Sequence, residues 1–154
     1  MNLDGLYRMQ GMLFSLMILG AFLKKKGIIT DEGKRVIADK MVAEGYENGY
    51  ATFWNGNVMT ELSGGKIQMW VWRDATLDQH GPDVDEIYPW LQLTSHDTER
   101  PTGKVFVLFS REEFGNNPWK QNLQPEDVIY ESEEYVVLGY PDYETMKATL
   151  EKDL

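Results

Sequence analysis

With 154 residues, 42% of them apolar and 12% aromatic, the chain is long enough to bury a core and too apolar to be disordered throughout. It has no cysteine, which excludes disulfides, thiolate metal sites and a cysteine nucleophile. A net charge of −10 removes the basic footprint that nucleic-acid binding requires, so no nucleic-acid partner is expected.

The charge is unevenly spread. Residues 1–40 carry seven basic and four acidic side chains, a local +3 that leaves −13 for the rest. In that basic part, Gly11 to Leu23 reads GMLFSLMILGAFL, with Ser15 its only polar side chain, and Lys24, Lys25 and Lys26 follow at once. The run is shorter than the ~20 apolar residues of a typical spanning helix. Three readings stand: a short membrane helix with a lysine anchor, a signal-peptide core, or a buried helix of a soluble domain. A signal peptide would carry its basic cluster on the other side and a small-residue cleavage site. The run is apolar all round the helix, not on one stripe, which favours the membrane reading over the buried one.

Thr30 and Asp31 are placed to cap a helix running to about Glu44, with Gly45 as its stop. Tyr50 to Trp54 reads as a short buried strand. Asn55 or Asn57 then caps a two-turn helix through Val58, Met59 and Leu62, closed by Gly64 and Gly65. Lys66 to Trp72 (KIQMWVW) is strand-like, and the order strand, helix, strand favours parallel pairing. A hairpin turning at Ser63-Gly64-Gly65 is the competing arrangement. Residues 73–103 are polar and turn-rich. Lys104 to Ser110 (KVFVLFS) predicts a central strand, and Arg111 to Gln124 a second loop anchored by Trp119. Val128 to Glu131 and Tyr135 to Tyr140 form a strand pair around an acidic turn. Asp142 caps a last helix whose Tyr143, Met146 and Leu150 fall at helical spacing. The fold expected is α/β (or α+β): a small mixed sheet with flanking helices, preceded by an apolar N-terminal helix. Residues 1–29 form that helix and a basic linker, and residues 30–154 the soluble domain.

Several chemistries find no pattern. His80 and His96 lie in polar loop sequence outside any ligand-spaced motif, so no metal is expected. Ser63 is not inside a G-x-S-x-G elbow, and the glycines have the wrong spacing for a dinucleotide or phosphate loop, so no cofactor is expected either. A glycosidase pair would set Glu61 against Asp74, Asp78, Asp83, Asp85 or Glu86 at a separation that sequence does not define. Alternation puts Trp70 and Trp72 on one face of their strand, as a ligand platform or as core.

The richest stretch is Gly49 to Ile67. It sets aromatic rings beside small residues, two asparagines, a threonine, a carboxylate, a serine and a lysine. Sugar sites use such a mixture, with rings for C–H surfaces and amides and carboxylates for hydroxyls. Helix capping and core satisfaction account for the same residues. On the sugar reading, Tyr50 and Trp54 supply apolar faces, Asn55, Asn57, Thr60 and Glu61 supply hydrogen bonds, and Lys66 meets a phosphate.

At this block the sequence resembles the C-terminal soluble part of bacterial polytopic membrane glycosyltransferases, the lipid-phosphosugar-dependent enzymes of protein-mannosyltransferase type. The matching positions are Gly49, Tyr50, Ala51, Trp54, Thr60, Leu62, Ser63, Ile67 and Val71, with Lys104 to Phe109 resembling the strand that follows a variable loop. The resemblance implies that Leu13 to Leu23 is the remnant of the last membrane helix. It also implies that the domain faces the extracytoplasmic side and binds a glycan or lipid-linked sugar. The family's catalytic acid lies between early membrane helices, a region this chain does not contain. The implied role is therefore accessory, with no catalytic residue of its own. The alternative is a stand-alone, cytoplasmic, soluble interaction domain for a small molecule or a protein.

Overall fold

The computed structural model describes residues 32–72, 83–88 and 92–152, together with positions 10, 11, 14, 15, 17 and 18. The chain divides into two compact units, Met1–Glu32 and Gly33–Leu154. In the first, the described positions are helical, Phe14, Met17 and Ile18 are exposed, and the Ser15 hydroxyl donates to the Gly11 carbonyl at 2.8 Å. Most of the apolar run and its lysine cluster, and the expected caps Thr30 and Asp31, lie outside the described residues. Among the described residues no helix is long and apolar enough to cross a membrane.

The second unit is an α/β domain. Helix α1 (Glu32–Ala43) leads to β1 (Asn48–Thr52), α2 (Phe53–Leu62) and β2 (Gln68–Trp72). After the long connection come β3 (Val105–Ser110), α3 (Arg111–Asn116), β4 (Val128–Glu131), β5 (Tyr135–Tyr140) and α4 (Tyr143–Leu150). The five strands lie in the order β2-β1-β3-β5-β4. Both β2 and β3 run parallel to β1, whereas β5 is antiparallel to β3 and to β4. This is the mixed sheet that the element order predicts, and α2 replaces the hairpin alternative.

Helix α1 stops where expected. Gly45 takes φ +80°, a left-handed conformation that a Cβ disfavours, and Tyr46 N–H then returns to the Met41 carbonyl at 2.9 Å. The β1 strand begins and ends two residues earlier than its sequence suggests, because Phe53 and Trp54 already belong to the first turn of α2. Their bulk reads as strand, yet the chain turns helical as soon as it leaves the sheet, a tertiary override of local propensity. The expected loop 111–124 contains a helix. Ser110 and Glu113 form a capping box, the S-x-x-E spacing that fixes the start of α3. Trp119 is fully buried, as an anchor should be.

The two sheet faces carry separate cores. On one, Ile37, Ala38 and Met41 of α1 and Met59 of α2 cover Ala51, Met69, Val71, Phe106, Leu108 and Val137. On the other, Tyr143, Met146 and Leu150 of α4, with Trp119, Val84 and Ile87, cover Tyr50, Trp70, Trp72, Val107, Phe109 and Leu138. The alternation along β2 thus puts both tryptophans on the second face, as the period of two predicts. Each fully buried large apolar side chain contributes ~1.5–3 kcal/mol relative to exposure. Gly56 sets the depth of α2: a Cβ there would stand 2.7 Å from Val71 Cγ2, so only glycine allows the helix this close to β2.

Candidate functional site

The C-terminal ends of β1 and β3 are the first place to look. They are adjacent parallel strands, and the chain leaves them in opposite directions across the sheet, the position where open α/β sheets commonly bind ligands. Here that crevice is closed by protein. Glu113 accepts from Ser110 N–H at 2.7 Å and from Asn55 Nδ2 at 2.8 Å on one oxygen, and from the Thr52 hydroxyl on the other. Thr52, the residue before α2, spends its hydroxyl on Glu113 and makes no side-chain cap to its own helix. Asn55 is buried in this network and so serves structure. Trp54, one residue before it, is 76% exposed, its ring edge-on to Phe53.

A second polar cluster lies over the aromatic face. Asp85 receives Lys147 Nζ at 2.6 Å and Arg100 Nε at 2.8 Å, and also accepts from the Tyr143 hydroxyl. Burial works against the Asp85 carboxylate, but the hydrogen bonds from Lys147 and Tyr143 and the charge of Arg100 outweigh it and hold its pKa below the ordinary value. Burial, together with the hydrogen bond to Asp85, pushes the Tyr143 phenol up to about 12. These groups satisfy one another and tie the 83–88 segment to α4.

The third place is different. A cleft of about 400 Å³ lies beside β2 at the margin of the sheet, lined by Asn57 and Thr60 of α2, Gly65, Gln68 and Met69, and by Gln92, Leu93 and His96. No described lining residue is charged. Gln92 is oriented by the sheet: its Oε1 accepts from Val71 N–H at 3.3 Å and faces His96 Nδ1 at 2.9 Å. Because that oxygen only accepts, Nδ1 carries the imidazole proton and Nε2 presents a lone pair. The Gln92 amide nitrogen points to Asn57 Oδ1 at 3.4 Å. The His96 ring is 96% buried and stacks on Trp70, centroids 4.1 Å apart at 21°. Burial lowers its pKa, while the charges of Asp97 and Glu99 act the other way, so the ring is neutral at pH 7. Its Nε2 is buried without a hydrogen-bond partner.

The edge strand adds backbone groups. Gln68 N–H bonds to the Glu47 carbonyl at 2.8 Å, so residues 68, 70 and 72 turn their main-chain groups inward to β1. Met69 and Val71 therefore point outward. Val71 is taken, its carbonyl by Tyr88 N–H at 2.7 Å and its N–H by Gln92. Met69 N–H and C=O have no partner among the described residues.

Of the seven residues that sequence singles out, the structure brings Asn57 and Thr60 together in this cleft. Tyr50 does not line the cleft; it is fully buried among Trp70, Trp72 and Tyr143. Asn55 stands at the Glu113 crevice, Trp54 is exposed against Phe53, and Glu61 and Lys66 are exposed and do not line the cleft. Sequence reasoning missed Gln92 and His96. His96 was visible as one of two histidines, but no spacing rule links a loop imidazole to a helix that lies far from it in the chain. A wider groove beside α4, near Glu126, Asp127 and Glu144, is carboxylate-rich. Among the described residues no three His, Asp or Glu side chains are placed to hold a metal ion.

The chain matches no protein-family model, and no curated protein or solved structure matches it significantly.

Proposed function

We propose that this domain is a non-catalytic carbohydrate-binding module, accessory to a membrane glycosyltransferase-like envelope protein and working beside the membrane. The observation that carries the reading is the chemistry of the β2-edge cleft: three side-chain amides, a threonine hydroxyl and a neutral imidazole, with no described charge among them. Polar neutral groups that both donate and accept suit sugar hydroxyls, and the volume falls in the range of ~300–1,000 Å³ common for small-ligand pockets. No described lining carboxylate supplies the acid–base pair that hydrolysis needs, which favours binding over turnover. Of the two ligands the family resemblance implies, the acceptor glycan suits this cleft better than a phosphate-linked donor, because no described cation lines it. The apolar run Gly11 to Leu23 supports placement at the membrane; the extracytoplasmic side rests on the family resemblance alone, and Lys24, Lys25 and Lys26 run against it by the positive-inside tendency.

The test is capture of purified envelope polysaccharide by the immobilised domain. The expected result is retention by the wild type and loss, by about tenfold or more in affinity, in a folded Asn57→Ala, Thr60→Val double variant. Equal retention by both proteins would remove the cleft from the function, and no retention by either would remove carbohydrate binding.

A further inference from the structure

Resting on that carbohydrate reading, we infer that the β2-edge cleft is one end of a longer site, continued by an aromatic subsite at Trp54, and that it takes a neutral oligosaccharide. Two elements lead from the cleft to that ring. On α2, Trp54 precedes Asn57 by three residues and Phe53 precedes it by four, so both are its neighbours on the helix surface, with Cβ atoms ~5–6 Å away. The Asn57 amide also donates to the Phe53 carbonyl at 3.4 Å. On β2, Met69 lines the cleft, and two residues further on the Val71 carbonyl accepts from Tyr88 N–H at 2.7 Å. The crossover helix runs back along the parallel strands, so the step from Asn57 to Phe53 and the step from Met69 to Val71 point the same way. They meet at the Phe53 and Tyr88 rings, which pack edge to face with centroids 5.8 Å apart. Gln92 spans the join, its Oε1 on Val71 N–H and its amide nitrogen on Asn57.

Trp54 is open to a ligand. Its side chain is 76% exposed, and the edge-on contact with Phe53, centroids 5.2 Å apart, covers at most one face of the indole. A single exposed apolar residue is ordinary. This one is backed by two half-buried rings, Phe53 and Tyr88, that pack on the core beneath α2, and its main chain is held by Lys34 Nζ, which donates to the Trp54 carbonyl at 3.0 Å. It borders a cleft lined by amides and a hydroxyl, and ligand sites combine aromatic surface with a few placed polar groups in this way. A sugar ring has a hydroxyl rim and a C–H face. The cleft suits the rim of one ring, and the indole, whose face carries the negative side of its quadrupole, suits the C–H face of another. The two lie a helical turn apart, so a chain of sugars engages both and one sugar engages one. A membrane interface also takes tryptophan, but a bilayer leaves the adjoining polar cleft unfilled.

The experiment is a titration of the full chain with fragments of the purified envelope polysaccharide, graded in length from single sugars to tetrasaccharides, with tryptophan emission followed in parallel. The expected result is binding of tetrasaccharides at least about tenfold tighter than single sugars, with emission moving to shorter wavelength as the sugar displaces water from the indole. Trp54→Ala should abolish that shift and bring tetrasaccharides down to the affinity of single sugars. Trp54→Phe, with a smaller face, should keep part of the preference. Circular dichroism and thermal melting establish that both variants are folded. Affinity independent of length, or a length preference that survives in Trp54→Ala, overturns the inference and leaves the carbohydrate reading standing. A Trp54→Ala variant that keeps its tetrasaccharide affinity but no longer sediments with phosphatidylcholine vesicles assigns the ring to the bilayer and overturns the inference. Retention of the intact polysaccharide with no affinity for any fragment overturns the inference alone; loss of both removes the reading on which it rests.

Discussion

The Glu113 crevice and the β2-edge cleft are built from the same kinds of residue, yet their hydrogen-bond accounts differ. At the crevice, one carboxylate takes the Thr52 hydroxyl, the Asn55 amide and the Ser110 N–H, joining the ends of two parallel strands to the starts of two helices. At the cleft, Gln92 is oriented with equal care, but the group it orients, His96, keeps a buried lone pair with nothing to receive. A polar network that is closed on itself stabilises a fold. One that lines a cleft has side chains that a ligand can reach. Position in the fold would have chosen the first place, whereas a neutral polar lining around open space chooses the second.

The sharpest way to break that contrast is to open the crevice. Glu113→Ala leaves the Thr52 hydroxyl, Asn55 amide and Ser110 N–H without their shared acceptor, and a loss of ~2–4 kcal/mol in unfolding free energy is expected by urea denaturation. Glu113→Gln retains one acceptor and should cost about half as much. Sugar affinity should be unchanged in the fraction that is folded. A loss below ~0.5 kcal/mol for the alanine variant would mean that the crevice is not a structural clamp.

Next in size is Gly56→Ala, which acts on the cleft through α2. The added Cβ, 2.7 Å from Val71 Cγ2, must push the helix off β2, and α2 carries both Asn57 and Thr60. Overpacking of this kind costs ~1–3 kcal/mol, and the better helix propensity of alanine returns up to about 1 kcal/mol. A net loss of ~1–2 kcal/mol is expected, together with weaker sugar binding. Unchanged stability with intact binding would show that the depth of α2 is not what shapes the cleft.

The Asp85 cluster is also closed on itself, but its ion pairs are partly exposed, and its effect should be smaller. Asp85→Asn weakens the contacts to Lys147 and Arg100, and screening limits the expected loss to about 1 kcal/mol. The sign in pH follows from the depressed carboxylate. Its stabilisation is complete above the unfolded pKa, near 3.9, and is lost as pH falls through the lower folded value. The gap between wild type and Asp85→Asn should therefore close in strong acid. A gap independent of pH would assign the effect to packing.

Much of the frame was legible because it rests on local rules. The alternation in Gln68–Trp72 and Val105–Ser110, the Asp142 cap and the glycine stop at Gly45 each act within a few residues. The capping box of α3 was equally local and was passed over, since its S-x-x-E signal sits in a short helix with no apolar stripe. The site was legible by half. Asn57 and Thr60 stand one helical turn apart, so a sequence pattern can pair them. Their partners Gln92 and His96 arrive through a long connection whose path no periodicity encodes. Asn55 looked like a ligand group because an amide tied to a carboxylate 58 positions away cannot be told from a free one before folding.

The smallest expected effect is the most discriminating. His96→Phe preserves the stack on Trp70 and deletes an acceptor that has no partner, but it also removes the Nδ1–H bond to Gln92 Oε1, which keeps Val71 N–H as a donor. Stability at pH 7 should therefore fall by only about 0.5–1 kcal/mol, less than for Glu113→Ala. Acid should separate the two proteins. Burial lowers the His96 pKa in the folded state, with Asp97 and Glu99 only partly opposing it, so below about pH 6.5 the unfolded chain takes up the proton first. Wild-type stability from this residue is then complete above that pH and falls as the solution is acidified, whereas the phenylalanine variant has no such term. A wild type that loses no stability relative to His96→Phe on acidification would mean that burial does not hold the imidazole neutral, and the contrast between the carboxylate of the crevice and the uncharged wall of the cleft would fail at His96.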